Sequence, residues 1–387
     1  MTLQENKVRL IDLGKNVTAE WLEKQIDFCI QKLEKNMERY GTAFPSASAT
    51  NGIYRIKPND DWTNGFWTGM LWLAYEWTGN DRFLKRALEN IQSFQQRLDD
   101  HFVLDHHDIG FLYSLSAGAG YRITGDEACK KELLQAADVL TARFQEQGNF
   151  IQAWGKCGDP KEYRLIIDSL INLPLLFEAA KISGDASYAE TAEKHYRTLL
   201  DTVIRENATT FHTYYFDPTN GKPTHGATHQ GNSDDSIWAR GQSWAVLGIP
   251  LNEVSMGATV APEIYSSVVD VFIENLPSDL VPYWDFDFND ALPSEKDSSA
   301  LAIAACGLLE ASSLDAYPEA ASIAAGMIYQ LGELYTTKDL PENEGLLLHG
   351  VYAHGEGKGI DEPNLWGDYF YFEALMRLAK PEWQRYW

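Results

Sequence analysis

Carboxyl groups stand at the starts of apolar segments of helix length, where they could give or accept protons. Asp108 directly precedes one such segment, and Asp168 opens another. A carboxyl group with a tuned pKa can serve as a general acid or base. The competing interpretation is helix capping, which is favoured for Asp61 and Asp297, since aspartate is a preferred N-cap residue. The segment starts carry Asp61 with Asn64, Asp108, Asp168, Arg240 with Gln242, Asp297 with Ser298, and Asp368.

Histidine and tryptophan residues accompany these carboxyl groups, which capping alone would not require. An indole can stack on the apolar face of a sugar ring, and carboxylate, amide and imidazole groups can bond to its hydroxyls. Polar, glycine-rich surroundings predict that Trp62, Trp154 and Trp238 lie at the surface or in a pocket. The helical spacing of Trp67 and Trp72 is typical of a core. The accompanying residues also include His106, His107, His212, His229, Gln230, Arg240 and Trp244. Together they favour a carbohydrate site.

The segments that must position these groups recur along the chain and share a turn. Three apolar segments, residues 66–77, 109–123 and 167–182, are each followed by a turn with glycine and then aspartate or asparagine. Glycine suits the left-handed position after a helix, and aspartate or asparagine suits the N-cap of the next helix. An amphipathic segment follows each turn, over residues 81–97, 126–146 and 185–200. The apolar segments are therefore predicted to be inner helices and the amphipathic ones outer helices.

Further segments extend this pattern over the chain. Residues 241–251, 298–309 and 366–378 are apolar, residues 20–40 are amphipathic, and residues 213–216 could form a short hairpin arm. About twelve helices in about six pairs predict an all-α fold, an (α/α)6 barrel of six inner/outer helix hairpins, with an open solenoid as the alternative. We expect an N-terminal extension over residues 1–19 and a single barrel domain over residues 20–387. Closure of the ring would bring the starts of the inner helices together at one end of the barrel, which we call its mouth.

The composition excludes several classes of protein. The 387 residues include 32 Lys+Arg and 56 Asp+Glu, which gives a formal charge of −24. This acid excess argues against nucleic-acid binding and against docking on an anionic membrane. Hydrophobic residues at 44% and aromatic residues at 12% exclude a disordered chain.

Signals for export and for cofactors are missing from the sequence. The start MTLQENKVR has no apolar signal region, and no apolar run reaches 18 residues, so we expect a cytoplasmic protein, monomeric or homodimeric. The cysteines are far apart and are predicted to be free buried thiols: Cys29, Cys129, Cys157 and Cys306. No HExxH, Walker, GxGxxG or GxSxG motif occurs, and the adjacent His106 and His107 would point to different sides. Neither a metal ion nor a cofactor is therefore expected.

Nine short strings, taken together, resemble the motifs of glycoside hydrolase family 88. Four of them are NDDWTNGFWTGMLWLAYEWTG, LDHHDIGFLYSLSA, THQGNSDDSIWARGQSW and KDSSALAIAACGLLE. The others are IQAWG, IIDSLINLPLL, FHTYYFDP, VPYWDF and LWGDYFYFEAL. The resemblance runs from about residue 20 to the C-terminus and implies an (α/α)6 barrel, in agreement with the repeat pattern.

The resemblance also implies a function. The family releases 4,5-unsaturated uronic acid from the non-reducing end of small, lyase-generated oligosaccharides of the glycosaminoglycan type. Asp168 matches its general acid/base and Asp108 its second essential carboxylate, and a negative Asp108 nearby would raise the pKa of Asp168. The implied substrate-binding residues are Trp62, His107, Trp154, His212, His229, Gln230, Trp238, Arg240, Trp244 and Lys358. Ala353 and Glu356 stand where members that favour sulfated units carry small hydroxyl residues, which weakens the case for a sulfate pocket.

Other functions stay open on the same residues. Unsaturated rhamnogalacturonyl hydrolase shares the fold and the chemistry, although the strings HHDIGF and THQGN favour the glucuronyl branch. A sugar 2-epimerase would need a basic histidine pair, which His212 and His229 could supply. A carbohydrate-binding protein without activity would not need Asp108 and Asp168. An anionic substrate in so acidic a chain would have to be held locally, by helix N-termini, Arg240 and the histidines.

Overall fold

The computed structural model describes residues 2–259, 261–314 and 316–387, and helices make up most of it. The helices are α1 (Leu3–Gly14), α2 (Ala19–Tyr40), α3 (Asn64–Thr78), α4 (Asp81–Asp99), α5 (Ile109–Tyr113), α6 (Ala119–Thr124), α7 (Glu127–Thr141), α8 (Ser169–Asn172), α9 (Pro174–Ser183), α10 (Ala186–Val203), α11 (Ala239–Met256), α12 (Pro262–Glu274), α13 (Ser298–Ser312), α14 (Ala320–Leu334) and α15 (Leu365–Ala379). A π-helical turn, Ser114–Gly118, joins α5 to α6. Among the helices of these residues, none has both the length and the apolar character needed to cross a bilayer.

The inner ring of the barrel consists of helices that are buried on nearly every face. In α13 the sequence SSALAIAACGLLEAS places small and apolar side chains all around the axis, and most of them are buried. The outer helix α4 buries Phe83, Ala87, Ile91 and Phe94 on one side and turns its charged side to solvent. The inner helices are α3, α5 with α6, α8 with α9, α11, α13 and α15, and the outer helices are α2, α4, α7, α10, α12 and α14. The predicted (α/α)6 barrel is confirmed.

Five inner/outer pairs follow one another along the chain, and distant parts of the chain supply the sixth. Helix α3 packs on α4, α5 on α7, α9 on α10, α11 on α12 and α13 on α14, whereas α15 packs on both α2 and α3. The contact between α15 and α3 closes the ring, so the open solenoid is wrong. Helix α2, predicted only as an additional amphipathic element, is the outer partner of α15.

Two predicted helices are shorter than their sequence pattern indicated. Helix α7 ends at Thr141 because the chain there turns into β3 (Phe144–Gln145), which pairs with β4 (Phe150–Ile151). The inner segment predicted over residues 167–182 begins at Ser169, because β5 (Arg164–Ile166) precedes it. Pro174 begins a new helix there, since proline has no backbone N–H to donate to the preceding turn.

Short antiparallel strands lie in the loops that precede the inner helices. The predicted hairpin arm is confirmed as β6 (Thr213–Phe216), which pairs with β5 and with β7 (Pro223–Ala227). The other pairs are β1 (Phe44–Pro45) with β2 (Ile56–Lys57), and β8 (Gly350–Ala353) with β9 (Lys358–Glu362). These hairpins carry side chains to the mouth of an otherwise helical barrel.

The segment predicted as an N-terminal extension contains helix α1, which packs on α14 and α12. The Asn6 amide donates to the backbone carbonyls of Ile273 and Leu276, at 2.9 and 3.1 Å, where α12 ends. Gly326 permits the close approach of α14, because a Cβ there would lie 1.9 Å from the carbonyl oxygen of Leu10. Helix α1 thus adds to the outer layer of the barrel.

Three of the four cysteines are the buried free thiols that the sequence predicted: Cys29, Cys129 and Cys306. Cys157 is also free but is exposed, so the prediction of burial is wrong for it. It lies in the loop between β4 and β5, where the left-handed Gly155 and Gly158 turn the chain at the surface.

A large cavity, of about 930 Å³, lies at the end of the barrel where the inner helices terminate. Its three arginines are ion-paired: Arg377 with Glu310 at 2.7 Å, Arg385 with Glu310 at 3.1 Å and Arg122 with Glu178 at 3.6 Å. Cations near helix C-termini complement the negative ends of the helix dipoles. This compensation accounts for the basic residues here, and the groups singled out by sequence lie at the opposite end.

Candidate active site

A cavity of about 330 Å³ opens at the mouth formed by the N-terminal ends of the inner helices. The structure brings most of the sequence-predicted site residues to its wall: Trp62, Asp108, Trp154, Asp168, His212, Gln230, Trp238, Arg240 and Trp244. Three other predicted residues, His107, His229 and Lys358, are not part of this wall. The common mouth follows from the parallel orientation of the inner helices, whose starts all lie at one end.

Asp108 and Asp168 each stand immediately before an inner helix, at the starts of α5 and α8. Neither side chain accepts a capping hydrogen bond from its helix. The capping interpretation of these two residues is therefore wrong. Both carboxylates line the cavity instead, although Asp108 is only 7% exposed.

Two residues lock the starts of α5 and α8 together. The Asn172 side chain accepts a hydrogen bond from the backbone N–H of Phe111 (2.8 Å) and donates one to the carbonyl of Asp168 (3.1 Å). At Gly110 a Cβ would lie 2.4 Å from the Cα of Asn172, so only glycine allows this approach. These contacts fix the distance between the Asp108 and Asp168 backbones, and so the separation of their carboxylates.

His107 lies between the two carboxylates and behind the cavity wall. Its Nε2 atom is 3.4 Å from Oδ1 of Asp108 and 3.2 Å from Oδ1 of Asp168. Its Nδ1 atom is 2.7 Å from Oγ of Ser169 in α8, and the ring is 1% exposed. The cavity therefore exposes the carboxylates rather than this imidazole, whose charge acts on their pKa values.

The pKa values of these three groups depend on one another: those of Asp168 and His107 are raised, and that of Asp108 is lowered. Burial raises the pKa of Asp168, with the charge of Asp108 adding to it and His107 opposing it. Although burial opposes it, the His107 and His106 rings lower the pKa of Asp108. Burial likewise opposes a raised pKa at His107, but the two carboxylates raise it. The arrangement favours a proton on Asp168 and a charge on Asp108, which suits a general acid beside a fixed anion.

The same three residues could also be considered as ligands of a metal ion. One ligand atom each from His107, Asp108 and Asp168 lies within 4.8 Å of the other two. A cation would need a neutral imidazole and two ionised carboxylates. The raised pKa values of His107 and Asp168 oppose both conditions, so the group fits proton transfer better than metal binding.

His212 presents a neutral imidazole to the cavity. Its Nδ1 accepts from the backbone N–H groups of His229 (2.9 Å) and Gln230 (3.3 Å), which leaves the ring proton on Nε2. Burial and the charge of neighbouring groups hold its pKa well below the usual value. Its ring lies 4.6 Å from that of Trp238. His212 can therefore donate a hydrogen bond to a sugar or carboxylate oxygen.

Arg240 is buried, and protein groups already occupy its donors. Its guanidinium pairs with Asp297 at 2.7 Å and donates to the carbonyls of Val351 and Tyr352 and to Oε1 of Gln230. It is stacked between the rings of Trp238 and Trp366, at 4.5 and 4.8 Å. Asp297 makes no capping bond to α13, so the capping prediction is wrong for it. Arg240 thus ties the Gln230 loop to β8.

The two other predicted residues outside the wall lie next to it. His229 is 5.4 Å from the ring of Trp154 and contacts the guanidinium of Arg164. The ammonium of Lys358, at the start of β9, lies 3.9 Å from the ring of Tyr352. Both could reach a sugar that extends out of the cavity.

Several residues of the cavity wall were not part of the predicted site. Tyr352 lines the wall, and its hydroxyl accepts a hydrogen bond from the indole N–H of Trp62 at 2.7 Å. His106 and Val103 also line it, on the loop before α5. His106 was visible beside Asp108, whereas Val103 carries no chemical signal in the sequence.

Comparisons with known proteins identify the family of the chain. The family model of Glycosyl Hydrolase Family 88 matches residues 36–308. The unsaturated chondroitin disaccharide hydrolase of Streptococcus pneumoniae is 45% identical over 96% of this chain and 95% of its own. The crystal structure of an unsaturated glucuronyl hydrolase from Streptococcus agalactiae superposes with a TM-score of 0.92, at 42% identity, over 96% of this chain and 94% of that one. A mutant of the latter enzyme has been solved in complex with dGlcA-GalNAc6S, with a TM-score of 0.85 and 38% identity over 97% of both chains.

Proposed function

Because the chain belongs to glycoside hydrolase family 88, we propose that it releases 4,5-unsaturated uronic acid from the non-reducing end of lyase-generated glycosaminoglycan-type oligosaccharides. The observation that carries the proposal is the pairing of Asp168 and Asp108 around a buried His107, at a cavity walled by indoles. The cavity of about 330 Å³ opens at one mouth, which suits a reaction at the terminal sugar of a small substrate. The enzyme therefore acts on chain ends and takes small substrates.

The reaction begins with a proton from Asp168. The unsaturated sugar contains a vinyl ether, C4=C5–O5, and protonation at C4 leaves a cation at C5 that the ring oxygen stabilises. Water then adds at C5 while the Asp168 carboxylate takes one of its protons. The resulting hemiketal opens by breaking the C5–O5 bond, and the hemiacetal left at C1 expels the second sugar. One water is consumed and Asp168 ends protonated, as it began.

Asp108 has two electrostatic effects in this scheme. Its negative charge raises the pKa of Asp168 and so helps to keep the acid protonated before the reaction. The same charge stabilises the cation that develops at C5. His107 keeps Asp108 ionised by lowering its pKa. Ordinary glycosidases use two carboxylates at the anomeric carbon, whereas here one aspartate moves both protons.

The anionic substrate must be held within a chain of charge −24. The cavity lies where the inner helices start, so their positive dipole ends face it. Arg240 adds positive charge to the wall, although protein groups occupy its donors, so the donor available to an oxygen of the uronate is the Nε2–H of His212. These local groups can bind a single carboxylate, while the acidic surface disfavours long polyanions.

The test is an absorbance assay with unsaturated disaccharides of chondroitin, hyaluronan and heparin. We expect the ultraviolet absorbance of the C4=C5 bond to fall, and mass spectrometry to show free uronate plus one added water. An epimerase would leave both signals unchanged, and an unchanged trace with all three disaccharides would overturn the proposal. Saturated disaccharides are the negative control, and dialysis against EDTA is expected to leave the rate unaltered.

A bell-shaped pH dependence of kcat/KM is expected. Asp168 acts when protonated, so activity is lost as pH rises through its raised pKa. Asp108 acts when ionised, so activity is lost as pH falls through its lowered pKa. Because His107 lowers both pKa values, His107→Gln is expected to move both limbs of the profile to higher pH. The matched control is His225→Gln, at an exposed histidine on β7. An unchanged alkaline limb in His107→Gln would contradict this role.

We also infer a cytoplasmic location and a monomeric or homodimeric state. The free thiols Cys29, Cys129 and Cys306 support the location, since oxidising compartments favour paired cysteines. Cell fractionation and light scattering of the purified protein test the two statements.

A further inference from the structure

The loop before α5 contains a backbone conformation that valine rarely adopts. Val103 has φ 50°, in the left-handed region, and His101 two residues earlier has φ 46°. For a β-branched residue this is an outlier, because its two γ-carbons crowd the backbone. Such strain persists only where surrounding contacts impose it, and it concentrates at functional sites.

Buried groups impose this conformation. Arg97, which is 2% exposed, donates from Nη2 to the carbonyl of Val103 (2.7 Å) and from Nε to that of Phe102 (3.0 Å). The Nε2–H of His106 donates to the same Val103 carbonyl at 2.9 Å. Arg97 also donates to the carbonyl of Asp61 at 3.0 Å. One guanidinium therefore sets the position of two loops that line the cavity.

The imposed conformation presents an apolar side chain at the rim of a polar cavity. Val103 lines the cavity yet remains 46% exposed, whereas Asp108 is 7% exposed. His106 links the two sides of the rim, since it bonds to Val103 and forms a β-bridge with Trp154. The isopropyl group of Val103 thus lies outward from the Asp108 carboxylate, toward the opening of the cavity.

Because Asp108 lies deeper in the cavity than Val103, the rim is expected to contact a different sugar from the carboxylates. In the proposed function the terminal unsaturated uronate reacts at Asp168, so the second sugar must lie toward the opening. A chondroitin-type hexosamine carries a single methyl group, on its acetamido substituent. We propose that Val103 is a specificity-determining residue that packs on this acetamido methyl and favours N-acetylated leaving sugars. The inference rests on the proposed function.

The test compares two disaccharides, unsaturated uronate linked to N-acetylgalactosamine and the same uronate linked to galactose. Val103→Gly and Val103→Asn both accept a positive φ and both remove the apolar contact. The ratio of kcat/KM for the two disaccharides is expected to fall about fourfold in both variants, as loss of one buried methyl-sized contact predicts. The unfolding midpoint of Val103→Gly should equal or exceed that of the wild type, because the strain is released.

Val8→Asn is the matched control, since Val8 is 47% exposed on α1 and does not line the cavity. It should leave the substrate ratio unchanged. A wild-type enzyme without preference for the acetylated disaccharide would overturn the inference, and so would variants that keep the wild-type ratio or lose activity equally on both substrates. Absence of wild-type activity on both disaccharides would instead refute the proposed function.

Discussion

Replacing Asp168 with asparagine is expected to lower kcat by about 10³-fold while leaving KM close to the wild-type value. A carboxamide has nearly the same shape but neither donates a proton to C4 nor takes one from water. The other walls of the cavity stay in place, so the affinity for substrate should persist. Stopped assays measure kcat and KM, and quenching of the cavity tryptophans measures binding.

Asp105→Asn provides the control for this experiment. Asp105 is three residues before Asp108, but its side chain is 70% exposed and lies outside the cavity wall. This variant should retain wild-type kcat. Near-normal turnover by Asp168→Asn would remove Asp168 from the mechanism, and loss of binding together with turnover would indicate a structural role.

Replacing Asp297 with alanine is expected to destabilise the protein by about 3–5 kcal/mol, because it leaves the buried guanidinium of Arg240 without its counter-charge. Asp297 is 0% exposed and Arg240 is 2% exposed, so water cannot replace the lost partner. Chemical denaturation measures the shift. Under conditions where the variant stays folded, KM should rise, because Arg240 also holds Gln230 and the carbonyl of Tyr352.

An exposed ion pair supplies the comparison. Glu193 and Arg197 lie one turn apart on α10 with side chains 46% and 55% exposed, and their distance is 2.6 Å. Glu193→Ala should cost less than about 1 kcal/mol, since water screens the pair. Equal losses in the two variants would mean that burial does not determine the contribution of Asp297.

The helices were predictable where local rules determine both of their ends. Gly79 and Gly125 adopt the left-handed conformation, and Asn80 and Asp126 cap the helices that follow, as the repeated turn indicated. Helices α12 and α14 were not placed individually. Their N-cap positions carry no side-chain capping bond, so the capping signal is absent, and packing on α11 and α13 positions these helices.

The site was predictable to the extent that it lies at helix starts. Asp108 and Asp168 could be placed on one mouth because the inner helices of a closed barrel run parallel. Tyr352 meets Trp62 across 290 positions of sequence, and only ring closure brings them together. The role of Arg240 was not predictable in the same way. Its charge suggested that it would bind an anionic substrate, but its donors bind protein groups.

The pairing of α15 with α2 has a consequence for how the protein is made. Helix α2 leaves the ribosome early with its apolar face, including Leu22, Ile26 and Leu33, while its partner is still to be translated. At about 5–20 residues per second, α2 waits tens of seconds for α15. During that interval the nascent chain exposes an amphipathic surface that a holdase chaperone can cover. Barrel assembly is therefore expected to finish only near the end of translation.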